Sequence, residues 1–184
     1  MKEGRDAGLL EQFLAEDHRR LDLLLQSAVA ETGQVNHQTY DQFRAGLLRH
    51  IGMEEKILFP VAQRWRGGGP LPMAAKLRLD HGALATLLMP TPTPTILATI
   101  RRVLADHNAL EEGPGGVYDL CDQRAGSEAE SLLTALRDAP SVAVMPHSDS
   151  PAVMTTLRRS LERAGYRLDA DSGCDVRMTP TQKP

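Results

Sequence analysis

Apolar residues recur three and four apart in four successive segments of this chain, and glycine- and proline-rich breaks separate the segments. That pattern limits the fold to a packed set of helices. Residues 6 to 29 carry Leu9, Leu10, Phe13, Leu14, Leu21, Leu24 and Leu25 at this spacing, the mark of a helix with one apolar face. A second helix is expected from about Asn36 to Trp65, with Phe43, Leu47, Leu48, Ile51, Ile57 and Leu58 apolar and a kink at Pro60. The stretch Arg66 to Pro72 is a breaker loop, and a third helix runs from about Met73 to Leu88. Pro90 to Pro94 breaks the chain again. A fourth helix starts near Pro94, where proline suits the first turn, and reaches Glu112. Four long helices with short connections make an all-α, up-down-up-down four-helix bundle the expected architecture.

Past Glu112 the pattern loosens. Gly113 to Gly116 interrupts the helix, and Val117 to Gln123 adds a short further turn. Glu128 to Asp138 reads as helical, Ser141 to Met145 as a short strand or an extended linker, and Pro151 to Ala164 as a helix ended by Gly165. We therefore expect the bundle over residues 1–125, a C-terminal helical appendage over 126–168 and a disordered tail over 169–184.

Composition narrows the functional class. Hydrophobic residues make up 41% of the chain but aromatics only 4%, so Leu, Ala, Val and Met must fill the core, a palette suited to helices. The net charge is −3, without the basic excess of a nucleic-acid binder. No stretch approaches the roughly 20 apolar residues of a membrane span, and the N-terminal residues lack an apolar run of signal-peptide length. Cys121 and Cys174 form no CxxC pair, which argues against a disulfide framework or a cysteine-based zinc site. A cytoplasmic protein with two unpaired thiols is expected.

The chemistry lies in the histidines. Four of the six, His18, His50, His81 and His107, fall one on each bundle helix, in a repeated context. The first half has Asp17-His18, then His50-x-x-x-Glu54-Glu55; the second has Asp80-His81, then His107-x-x-x-Glu111-Glu112. Residues four apart share a helix face, so His50 with Glu54, and His107 with Glu111, each present an imidazole and a carboxylate to one side. Two such helices facing across a bundle supply two nitrogens and two bridging carboxylates, and His18 and His81 add two more imidazoles. Four His and two Glu form an N/O ligand set that suits iron. His37 and His147 are expected at the surface, or His147 in a loop over the mouth of the site. Tyr118, near the end of the fourth helix, is read as core packing, with reach into the cavity as the alternative. Asp17, Asp80 and Asp106 each precede a ligand histidine, and adjacent residues do not share a face, so none is expected to serve its own neighbour.

This arrangement resembles the hemerythrin-like family of His-His-Glu cation-binding domains, over about residues 8 to 122. The most specific pieces are His50-x-x-x-Glu54-Glu55-x-x-Leu58-Phe59-Pro60 and His107-x-x-x-Glu111-Glu112. The resemblance implies that His18, His50, His81 and His107 are terminal ligands, and that Glu54 and Glu111 bridge two non-haem iron ions. Oxygen-carrying hemerythrins have His-x-x-x-His on the third helix. Here Ala85 stands four residues after His81, so one iron should keep an extra open position. Asp22, four residues after His18, is read as a solvated residue with a ligand role as the alternative. Glu55 and Glu112, about 100° further round their helices, are read as acids behind the ligands or at the surface, with Glu112 as the alternative ligand to Glu111.

The missing histidine shifts the expected function from oxygen carriage towards sensing or redox reactivity. The leading expectation is a di-iron protein that binds or senses oxygen, nitric oxide or iron without turnover. One alternative is a di-iron enzyme reducing peroxide, oxygen or nitric oxide. The other is a zinc or manganese buffering or structural protein, since imidazole and carboxylate ligands admit those metals. The expected partner is a small diatomic ligand, with no nucleic acid and no membrane. Leu132, Leu133, Leu136, Val153, Leu157 and Leu161 need a surface to cover them, either the bundle itself, a second copy or another protein.

Overall fold

The computed structural model describes residues 8–30 and 33–168, and the expectation of a disordered 169–184 tail lies outside these. Every regular element of the described chain is a helix, and there is one isolated antiparallel bridge between Val29 and Val35. The bundle helices are α1 (Leu9–Ser27), α2 (His37–Met53) running on into α3 (Phe59–Trp65), α4 (Ala74–Leu87) and α5 (Pro94–Glu112). Three further helices follow: α6 (Val117–Ala125), α7 (Ala129–Arg137) and α8 (Pro151–Ala164).

Local chemistry sets the boundaries. The side chains of Asn36, Thr93 and Ser150 cap α2, α5 and α8 by accepting the N–H of Thr39, Ile96 and Val153. Gly165, at φ 88°, ends α8 as expected. The N-terminus of α1 is capped from another helix. Asp122 on α6 accepts the N–H groups of Leu10 and Glu11 at 3.1 and 2.9 Å. Gly8 permits this approach, because a Cβ there would lie 2.2 Å from the Asp122 carboxyl carbon.

Pro60 is absorbed differently from a simple kink. Between α2 and α3, Glu54–Leu58 forms a π-helical turn, in which the Phe59 N–H reaches back five residues to the Glu54 carbonyl. An α-helical continuation would press the proline ring onto the carbonyl four residues back and leave that carbonyl without a donor. The wider turn replaces that register, and it falls on Glu54 and Glu55.

The core has two apolar clusters. One gathers Leu21, Leu25, Phe43, Leu47, Leu84 and Ile100 with Leu157 and Leu161 of α8. The other gathers Leu10, Leu14, Met53, Leu58, Leu77 and Val117 with Leu132, Leu133 and Leu136 of α7. On α1, α2 and α4 the histidine of the repeated motif lies in sequence between members of the two clusters, and on α5 His107 follows the last member of the first, so the buried polar side chains form a layer at the waist. The surface that covers the C-terminal apolar residues is the bundle itself. Leu157 and Leu161 are fully buried, each contributing about 1.5–3 kcal/mol.

The segment 139–150 is an extended linker, not a strand. Buried Arg44 pins it by donating to the carbonyls of Leu88 and Met145 at 3.0 and 2.9 Å. Val117 to Ala125 is a full helix rather than a short turn. Cys121 is a buried free thiol, pushed up to about 12 by burial, and Cys174 lies outside the described residues.

Candidate metal centre

Six side chains from five elements converge at the waist. α1 supplies His18, α2 His50, the π turn Glu54, α4 His81, and α5 both His107 and Glu111. All six are buried, and both glutamates are 0% exposed. They form two quartets that share the carboxylates: His18, His50, Glu54 and Glu111, and then Glu54, His81, His107 and Glu111. Within each quartet the donor atoms lie within 4.8 Å of one another.

The carboxylate oxygens are divided between the quartets. Glu54 turns Oε1 to His50 Nε2 at 3.4 Å and Oε2 to His81 Nε2 at 3.1 Å. Glu111 turns Oε2 to His18 Nε2 at 3.4 Å and Oε1 to His107 Nε2 at 3.1 Å. Each glutamate thus offers one oxygen to each histidine pair, the placement a bridging carboxylate requires.

The opposite ring nitrogens face outward onto a ring of acids. His18 Nδ1 meets Glu112 at 2.6 Å, His50 Nδ1 meets Asp17 at 2.9 Å, and His81 Nδ1 meets Glu55 at 2.7 Å. His107 Nδ1 lies 3.7 Å from Asp80. Asp17 therefore serves the histidine of the next helix in its own half, and Asp80 faces its counterpart across 3.7 Å without a hydrogen bond; neither serves the histidine beside it in sequence. Each second glutamate of a Glu-Glu pair serves a histidine of the other half. For His18, His50 and His81, acceptors at Nδ1 hold the proton there and leave the Nε2 lone pair free for a metal. Asp17 is braced by Arg20 at 2.7 Å, Glu55 by Arg78 at 3.1 Å and Asp80 by Lys76 at 2.5 Å.

These residues fit a metal. Glu54 Oε2, His81 Nε2 and Glu111 Oε1 are buried without a hydrogen-bond partner. Such atoms are rare in folded proteins, and here all three aim at one point. Two fully buried carboxylates also demand positive charge. Without metal that charge must come from protons on the imidazoles. Burial alone would lower the histidines. The carboxylates outweigh it, so that His50, His81 and His107 rise to about 9 and His18 also rises. A divalent cation can take the place of these protons.

Tyr118 combines its expected core packing with the alternative, reach into the site. Its ring packs in the core as expected, but its hydroxyl enters the first quartet, 2.6 Å from Glu54 Oε1 and 3.1 Å from Glu111 Oε2. It also lies 3.3 Å from both His18 Nε2 and His50 Nε2. Burial, the two carboxylates and the contact to Glu54 push the phenol well above its usual range in the metal-free protein.

The remaining candidates fall outside the quartets. Asp22 is exposed on α1 and accepts from Gln26. Glu112 sits behind His18, not beside Glu111. His37 is exposed, and His147 stacks on Tyr40 at 6.0 Å between ring centres, in the apolar cluster that also holds α8. A cleft of about 360 Å³ between α1 and α5 has His18, Arg19, Asp22, Arg101, Leu104 and Asn108 among its lining residues and reaches the waist from outside.

No helix among the described residues is long and apolar enough to cross a membrane. No curated protein and no solved structure matches the chain. The family model described as the hemerythrin HHE cation binding domain matches residues 9–114, a span that holds every side chain of both quartets. By this match over more than half its length, the chain belongs to the hemerythrin HHE cation-binding domain family.

Proposed function

We propose that the protein is a non-haem di-iron protein that binds or senses a small diatomic ligand, oxygen or nitric oxide. In this reading His18, His50, His81 and His107 are terminal ligands and Glu54 and Glu111 bridge the two ions. Residues 1–125 are the metal-binding unit, and 126–168 are the helical appendage that covers it. The observation that carries the reading is the division of the carboxylate oxygens: each glutamate turns one oxygen to each histidine pair.

The bound ions would supply a redox-active pair able to take a diatomic ligand. The protein's part is to hold and shield. The Nδ1 acceptors fix the ring orientations, and the two apolar clusters limit water at the waist. The second quartet has no further donor among the described residues, as the absence of a histidine at Ala85 leads one to expect. An external ligand would therefore be taken up on the His81 and His107 side.

Metal analysis with the ultraviolet–visible spectrum tests this on protein grown in iron-supplemented medium. About two irons per chain with near-ultraviolet absorption, responsive to oxygen or nitric oxide, is expected from this ligand set. Less than about half an iron in folded protein, or a colourless zinc-loaded product, would overturn it. Consumption of peroxide or nitric oxide well beyond one equivalent per site would favour a di-iron enzyme instead.

A further inference from the structure

We infer that Tyr118 is a protein ligand to the metal bounded by His18 and His50, so that the two metal positions are chemically unequal. This rests on the two-metal reading above and adds a donor that the His and Glu spacing does not contain. In octahedral sites with bonds of about 2.1 Å, neighbouring ligand atoms stand about 3 Å apart. The Tyr118 oxygen lies 2.6, 3.1, 3.3 and 3.3 Å from the four donor atoms of the first quartet. One oxygen within 2.6–3.3 Å of all four donors stands where a fifth ligand belongs.

The placement is built in. α6 is tied to the start of α1 by the Asp122 cap, and Gly8 leaves room for that contact. Val117 and Cys121 flank Tyr118 in the apolar cluster around α7, which fixes the ring. Withdrawal of the hydroxyl would require moving the helix. Coordination replaces the hydroxyl's bond to Glu54, and the phenol proton leaves with those displaced from the imidazoles. The second quartet has no counterpart to Tyr118 among the described residues.

Iron(III)-loaded protein, with Tyr118→Phe beside it, tests the assignment. The chain has three tyrosines, so Tyr40→Phe and Tyr166→Phe complete the controls. The parent should show a visible phenolate-to-iron charge-transfer band, with tyrosine ring modes enhanced in the resonance Raman spectrum. Tyr118→Phe should lose both, and it should bind one of two metal equivalents about ten- to a hundredfold more weakly. The two control variants should keep both signals. Two irons per chain without a tyrosine signature, or a signature that survives Tyr118→Phe, overturns the Tyr118 assignment alone. Absence of iron from folded parent protein overturns the two-metal reading and this one together.

Discussion

The two histidine pairs descend from the same short pattern, yet the finished half-sites differ. Around His18 and His50 the acids are Glu112 and Asp17, with Arg20 bracing Asp17. Around His81 and His107 they are Glu55 and Asp80, with Arg78 and Lys76 as braces. Up to that point the halves are near copies. They part where elements outside the repeat reach in. α6 puts a hydroxyl into the first half. α8 reaches the second through the Ala164 carbonyl, which accepts from Lys76 at 2.9 Å while Lys76 holds Asp80. The repeat therefore builds a symmetric cage, and the C-terminal helices give its halves separate properties.

The comparison breaks most sharply at the shared carboxylates. Glu54→Ala strikes both halves, because its two oxygens serve different pairs, and metal content should fall from about two per chain to well under one. His81→Ala strikes one half and should leave about one metal per chain. Elemental analysis of the two variants separates these cases. Equal losses would mean that the positions fill only together.

The next effect appears on removing the metal. Without it, His50, His81 and His107 stand at about 9 against an ordinary 6.5. A folded-state value above the unfolded one means stabilisation that is complete below pH 6.5 and lost as the pH rises through about 9. The chelator-treated protein should therefore lose thermal stability from pH 6.5 to 9, whereas the metal-loaded protein, whose imidazoles are already deprotonated, should not follow. Calorimetry at matched pH values measures both. Parallel curves would show that the histidines carry no excess protons in the metal-free fold.

Asp17→Asn and Asp80→Asn test the halves one at a time. Losing the acceptor behind a ligand histidine typically weakens metal binding about ten- to a hundredfold. Asp17→Asn should act on the first half and perturb any Tyr118-dependent band. Asp80→Asn should act on the second and leave the band in place. Titration followed in the visible range distinguishes them, and a band that responds equally to both would dissolve the distinction between the halves.

What the sequence revealed follows from what is local. The helices and the inward direction of His50 with Glu54 and His107 with Glu111 depend on spacings of three and four, which a linear chain displays. The π turn had a local signal too, since Pro60 comes six residues after Glu54, but a proline predicts disruption without specifying its form. The offset of Glu55 and Glu112 round their helices marked them as acids behind the site, but the acceptor pairings had no such signal. Asp17 serves His50 from 33 residues away, and Tyr118 reaches Glu54 across 64. Those pairings depend on how helices are rotated against one another, which the apolar pattern fixes only to within a face. The docking of α8 is of the same kind: an amphipathic helix announces that it needs a partner, not which one.

The smallest effect compares the two braces. Arg20 is 48% exposed and holds Asp17 three residues away on the same helix, so solvent and salt weaken the pair. Arg20→Met should cost no more than about 1 kcal/mol. Lys76 is 40% exposed, but Asp80 is 0% exposed, and the ammonium also reaches the Ala164 carbonyl. Lys76→Met leaves a buried carboxylate oxygen without its donor and should cost about 1–3 kcal/mol in the metal-free protein. It should also raise hydrogen exchange in α8, a readout that Arg20→Met should not move. If both substitutions cost the same and α8 exchanges as before, Lys76 is a surface charge and the second half owes nothing to the C-terminal helix. If they differ as stated, α8 and the second half are energetically linked, and filling the centre should slow exchange in a helix that supplies none of its ligands.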